Sequence, residues 1–175
     1  MAKSKKSGGT ARLSTPTDLK EKGIQEISKA LNGLLADAFA LYLKTKNFHW
    51  HVSGPNFRDY HLLFDEHAEQ IFETTDELAE RVRKIGGRTL HSIGEITSHQ
   101  HIKDNNAAFV APGDMVRELM EDNKTMMRLM REVHELCDKH DDVATASILE
   151  TFIDGTERRN WFLFEVSRSA DPSGH

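Results

Sequence analysis

Apolar residues recur at three- and four-residue spacing along most of the chain, and the alternation expected of strands is absent throughout. Ile24, Ile27, Leu31, Leu34, Leu35, Ala38, Tyr42 and Leu43 form one broad apolar face and predict a first helix from residue 18 or 21 to 48. Gly33 inside it marks close packing. Phe39 and Leu41 widen the face toward a subunit contact. Leu63, Phe64, Ala68, Ile71, Phe72, Leu78, Ala79, Val82 and Ile85 predict a second helix over 57–85, stopped by Gly86-Gly87. Met115, Leu119, Met126, Leu129, Met130, Val133 and Leu136 predict a third over 112–139, and Ala146, Leu149, Phe152, Ile153, Phe162 and Val166 a fourth over 142–167. The stretch 88–111 is too long for an ordinary helix connection and is expected to hold a short helix near 94–102. The pattern is that of an all-α bundle of four long helices with a crossover between the second and third.

Composition refines this picture. A chain of 175 residues suits one domain with a proper core. It has no apolar run of the roughly 18 residues a membrane span needs. With Cys137 as its one cysteine, no internal disulfide is possible, which fits a reducing cytosol. The net charge of −5 hides an asymmetry: residues 1–17 carry Lys3, Lys5, Lys6 and Arg12 and no acid. Residues 1–18 therefore read as a flexible basic arm, 19–168 as the bundle and 169–175 as a short tail. The arm is a candidate for binding DNA phosphates, since weak contacts gain avidity when an assembly repeats them.

Candidate chemistry concentrates between residues 47 and 81. On a helix advancing 100° per residue, with His61 at the origin, Asp65 lies near 40°, Asp76 near 60° and Glu80 near 100°. The four share one stripe, but Asp65 and Asp76 stand about 16 Å apart along the axis, too far for one metal. The halves meet if two copies of the helix pack antiparallel about a two-fold axis. Each end then joins His61 and Asp65 of one chain to Asp76 and Glu80 of another, and His49 can fold back beside His61. The mixed nitrogen and oxygen donors suit iron, manganese or zinc.

The pattern His49-Trp50, Gly54, Phe57, His61, Asp65-Glu66, Asp76, Ala79-Glu80-Arg81 and Gly86-Gly87 resembles the Dps family of mini-ferritins over about residues 22–168. The resemblance implies a ferritin-like four-helix bundle assembled into a hollow dodecamer in the cytoplasm, associated with the nucleoid where the arm binds DNA. It implies iron oxidation, preferably with hydrogen peroxide, at sites shared between two-fold-related subunits. By position, His49, His61 and Asp65 match ligands from one subunit and Asp76 and Glu80 those from its partner. Glu66 is an additional candidate, because part of the family uses an acid there. One departure stands out. Many relatives place an acid two residues after a threonine at the iron-entry pore, whereas Thr145 here is followed by Ala146 and Ser147. Asp141, Asp142, Glu150 and Asp154 are the alternative pore candidates.

Other motifs carry less. His91, His99 and His101 read as surface histidines rather than a metal site, and the methionines as core filler. Trp50 and Trp161 read as core anchors, although Trp50, next to His49, is also placed to give up an electron near an oxidising iron. His140-Asp141 alone does not make an HD-type phosphohydrolase. The absence of any Glu-x-x-His argues against the larger ferritins, which build their site within one subunit. The rival to an iron oxidase is a structural protein that coats DNA and protects it physically.

Overall fold

A computed structural model describes residues 13–168. The elements are α1 (Glu21–His51), α2 (Phe57–Lys84), α3 (Ile93–His99), α4 (Pro112–Lys139) and α5 (Val143–Ser167). Lys3, Lys5, Lys6 and Arg12 lie outside the described residues, as does the tail 169–175.

Two helical hairpins make the bundle: α1 packs along α2 and α4 along α5, while α1 also meets α4 and α3. In α2 the buried side chains Phe64, Ala68, Ile71, Thr75, Leu78 and Val82 alternate four- and three-residue steps that draw one seam along the helix, with His67 buried beside it. Ile27, Leu31, Leu34, Leu35, Ala38, Leu41 and Phe48 face it from α1. Burying each large apolar side chain here contributes about 1.5–3 kcal/mol. Phe64 is fully enclosed, so Phe64→Ala would cost about 3–5 kcal/mol.

Two of the inter-helix junctions, at the ends of α2 and α4, are closed by backbone geometry. At the end of α2, Gly87 N donates to the Val82 carbonyl (2.9 Å) and Gly86 N to that of Arg83 (3.1 Å), with Gly86 at φ 89°. This is a Schellman closure, which needs the left-handed conformation glycine adopts freely. A Cβ on Gly87 would lie 2.0 Å from Ser28 Oγ, so the glycine also lets the chain cross α1 closely. The same closure ends α4, with Asp141 at φ 60° and Asp142 N bonded to the Cys137 carbonyl (3.0 Å). Asp142 then caps α5 by accepting from Thr145 N (3.1 Å) and receives Arg81 Nη2 from α2 at 2.5 Å. Buried and committed in this way, Asp142 is withdrawn from the pore candidates; Asp141, Glu150 and Asp154 are exposed.

Several expectations need correction. The first helix runs on to His51, carrying His49 on its last turn, and the crossover helix spans Ile93–His99. Leu41 is fully buried within the chain's own core rather than reserved for a contact. Leu43, Phe72, Phe162 and Val166 are 58, 49, 37 and 36 % exposed, because they sit beyond the seams that the neighbouring helices cover. Trp50 and Trp161, read as core anchors, are also exposed. Leu13–Asp18, assigned to the arm, lies against the end of α2: Arg83 Nη2 donates to the Leu13 carbonyl (2.6 Å) and Thr15 Oγ1 to that of Arg83 (2.8 Å).

Candidate metal centre

The α1–α2 turn brings two imidazoles together. The His49 and His61 rings stack with centroids 3.8 Å apart and planes 20° from parallel. His49 Nδ1–H donates to the His61 carbonyl at 2.7 Å, and His61 Nδ1–H returns the bond to the His49 carbonyl at 2.9 Å. A carbonyl can only accept, so both rings carry their hydrogen on Nδ1. Both Nε2 lone pairs are left to bind something else. Fixing the tautomer from behind in this way is how metal-binding histidines are commonly held.

Asp65 lies one turn after His61, its Oδ1 3.7 Å from His49 Nε2. The same oxygen accepts a hydrogen bond from Lys46 Nζ. That bond holds the Asp65 carboxyl below the usual carboxylate range, against the opposing effect of burial. Lys46 was not singled out in the sequence, yet the signal was there: three residues before His49 on a helix, it shares that residue's face. His49 thus stacks on His61 and approaches Asp65, whose carboxylate is held by the Lys46 ammonium.

The other two proposed donors stand apart. Asp76 and Glu80 are exposed farther along α2, and Glu80 pairs with Lys84 at 3.0 Å. Among the described residues, no group of three His, Cys, Asp or Glu side chains is arranged to hold a metal within one chain. Asp76 instead helps line a groove of about 830 Å³ whose walls include Phe39, Phe72, Ala79, Leu90 and Ile93. A largely apolar groove with two carboxylates, Glu73 and Asp76, in its wall is suited to covering by another molecule.

Glu66 and the other histidines separate clearly. Glu66 is exposed and accepts from Gln70 Nε2 at 3.2 Å, away from the paired histidines. His51 is exposed and bonded to the Asn47 carbonyl. His67 turns inward and packs edge-on to Phe162. Burial, reinforced by Arg159 and Arg158, pushes its pKa down to about 4. His91, His99 and His101 are exposed, and His101 Nδ1 donates to the buried Asp37 at 2.8 Å. Cys137 is enclosed, and burial pushes its thiol up to about 12, so it is an inert core residue.

Comparison with known proteins agrees with this architecture. The ferritin-like domain model matches residues 28–168. A DNA protection during starvation protein of Brevibacillus brevis is 32 % identical over 139 residues, covering 79 % of this chain and 93 % of that protein. The crystal structure of a Dps protein from Bacillus brevis superposes with a TM-score of 0.82 at 30 % identity, covering 86 % of this chain and all of that one. The chain belongs to the Dps family. Another relative of similar likeness, a low temperature-induced protein of Nostoc sp., is 33 % identical over 161 residues, 90 % of this chain and 88 % of its own. The ferritin-like all-α fold expected from the helical periodicity and the Dps resemblance is thereby established, with α3 as the extra short helix in the crossover. Among the described residues, no helix is long and apolar enough to cross a membrane.

Proposed function

We propose that this Dps chain is a ferroxidase subunit that binds ferrous iron between two copies of itself and oxidises it with hydrogen peroxide. The observation that carries the reading is the pair of stacked imidazoles, each with its Nδ1–H engaged by the other's backbone, and Asp65 Oδ1 lying 3.7 Å from His49 Nε2. The partner subunit's Asp76 and Glu80 would complete the donor set when the groove beside Asp76 is covered by a second copy. Two neutral nitrogens and three carboxylates suit iron, and their negative charge favours the ferric product over the ferrous substrate. Lys46 acts as a stand-in cation: it leaves Asp65 as iron arrives, so the apo site does not hold an unpaired carboxylate.

The electron balance is simple. Two ferrous ions each lose one electron, the peroxide O–O bond breaks, and the two oxygens take up protons and leave as water. Ferric iron then hydrolyses and collects as mineral inside a dodecameric shell. Removing ferrous iron and peroxide together suppresses hydroxyl-radical chemistry, which accounts for protection of DNA, the role that the names of relatives express. In this reading the protein works in the cytoplasm, and the arm residues Lys3, Lys5, Lys6 and Arg12 add salt-sensitive, sequence-independent attachment to DNA. DNA coating with little oxidase activity is the second reading, and it rests on that acid-free cluster alone.

The test is anaerobic ferrous loading of the purified assembly, then peroxide, following ferric absorbance and residual peroxide. The native protein should oxidise iron much faster than buffer and consume one peroxide for two irons. Asp65→Asn combined with Glu80→Gln should lose the fast phase with assembly intact. Equal rates in the double variant would overturn the site, and a native rate no faster than buffer would favour DNA coating.

A further inference from the structure

Between α2, α4 and α5 lies a cluster for which iron chemistry has no use. Arg159 sits on the inward face of α5 and is only 6 % exposed. Its Nη2 donates to Thr156 Oγ1 at 2.7 Å and its Nε to Asn123 Oδ1 at 3.4 Å, both neutral acceptors. Among the described residues, no carboxylate pairs with it, and burial alone, with no acid to oppose it, acts on its charge. The contrast with the other buried cation is sharp: Lys44 is met by Asp122 at 2.7 Å and Glu118 at 3.0 Å. The Arg159 charge is felt by His67, which is 4 % exposed and whose Nδ1 is buried without a hydrogen-bond partner.

An enclosed guanidinium without counter-charge is among the costliest arrangements a core can hold, and an orphaned ring nitrogen adds to the cost. One missing partner accounts for both: a species that is negatively charged and accepts hydrogen bonds. We propose that Arg159 and His67 hold a small monovalent anion of halide size inside the bundle. A single charge matches a single guanidinium, since a dianion would leave an excess charge in a low-dielectric interior. Small size follows from the spacing of packed helices, about 8–10 Å between axes. The N–H groups of Arg159 not used by Thr156 and Asn123, together with His67 Nδ1–H, supply the donors. An anion there bridges α2 and α5, and through Asn123 it engages α4, joining both hairpins.

The test uses the intact assembly. Melting is compared in chloride or bromide and in gluconate at fixed ionic strength, for the native protein and for Arg159→Met. The native protein should show a saturable halide-dependent rise of about 2–4 °C in Tm, and Arg159→Met should show none. Crystals of the native protein grown in bromide should show an anomalous peak within hydrogen-bond reach of the Arg159 guanidinium. This measurement stands even if the variant does not fold. Identical melting in halide and gluconate overturns the proposal, as does a halide response that Arg159→Met retains. A bromide crystal with no peak at Arg159 overturns it too. A peak without any change in melting marks an adventitious ion only, and also overturns it.

Discussion

Asp37 offers a direct way to ask whether the crossover positions the proposed site. Its side chain is fully buried on α1, where Oδ1 accepts from the backbone N–H of His101 and of Ile102 (2.8 Å) and Oδ2 accepts from His101 Nδ1 (2.8 Å). One carboxylate thus anchors the chain just after α3. Asp37→Ala removes all three acceptor interactions and leaves two backbone donors stranded at a buried junction. Each hydrogen bond to a charged group contributes about 1.5–3 kcal/mol, and relief of the carboxylate's own desolvation offsets part of the loss. A net loss of about 2–4 kcal/mol is expected, or roughly 5–15 °C in Tm for a chain of this size. Ile102, 2 % exposed, should come loose with it, and Leu90, Ile93 and Ile96 should lose their place in the groove wall. Hydrogen exchange should therefore accelerate at residues 101–102 and through α3, while α4 and α5 stay protected. If the groove is where the partner docks, pairing and peroxide-driven iron oxidation should weaken together. Asp37→Asn should be intermediate, because its carbonyl still accepts the backbone bonds but its amide faces His101 Nδ1. A Tm within 2 °C of native, with unchanged exchange at 101–102, would refute the anchoring role.

Three further outcomes are expected. His67 titrates at about 4 in the fold against 6.5 in the unfolded chain, so the unfolded state takes up its proton first as pH falls. Its contribution is complete above pH 6.5 and is lost toward pH 4, with about 2 kcal/mol gone by pH 5 and about 3 kcal/mol at the limit. Urea midpoints of native protein and His67→Phe, measured between pH 4.5 and 7.5 in halide-free, metal-free buffer, should diverge over this window; parallel curves would refute the assignment. Deleting residues 1–12 should abolish or sharply weaken DNA gel shifts at unchanged Tm. Deleting 1–17 should also remove the Leu13 and Thr15 contacts with Arg83 and cost about 1–2 kcal/mol; equal stability of the two truncations would count against that docking.

The helical periodicity conveys most of the fold because each long helix has one continuous seam. Gly86-Gly87 and Pro112 mark helix ends for backbone reasons that the sequence carries openly. Leu43 and Phe72 show where periodicity stops informing: an apolar residue beside a seam has the same spacing whether its own chain covers it or not. The enclosure of His67 was not legible, because it depends on α5 crossing the opposite side of α2. Spacing suggested His49 beside His61. The exchanged backbone bonds were not legible, since they depend on how the turn between the helices closes. Lys46 was overlooked because a lysine is not a metal ligand, although it reports where a cation is wanted.

The exchange of bonds between His49 and His61 also restricts which length changes the chain can accept. The connection runs through Gly54, at φ 99°, and ends where α2 begins at Phe57. Inserting a single residue there would lengthen the span that holds His49 against His61. Both rings would then lose their backbone acceptors at once, and Asp65 would swing away with them. The crossover between α2 and α4 holds no proposed ligand, so an added residue at an exposed position such as Phe109 leaves that geometry alone. For anyone grafting peptides onto this scaffold, the short loop is closed to insertion, and the long one is open only around Phe109, clear of the groove wall and of the Asp37 anchor.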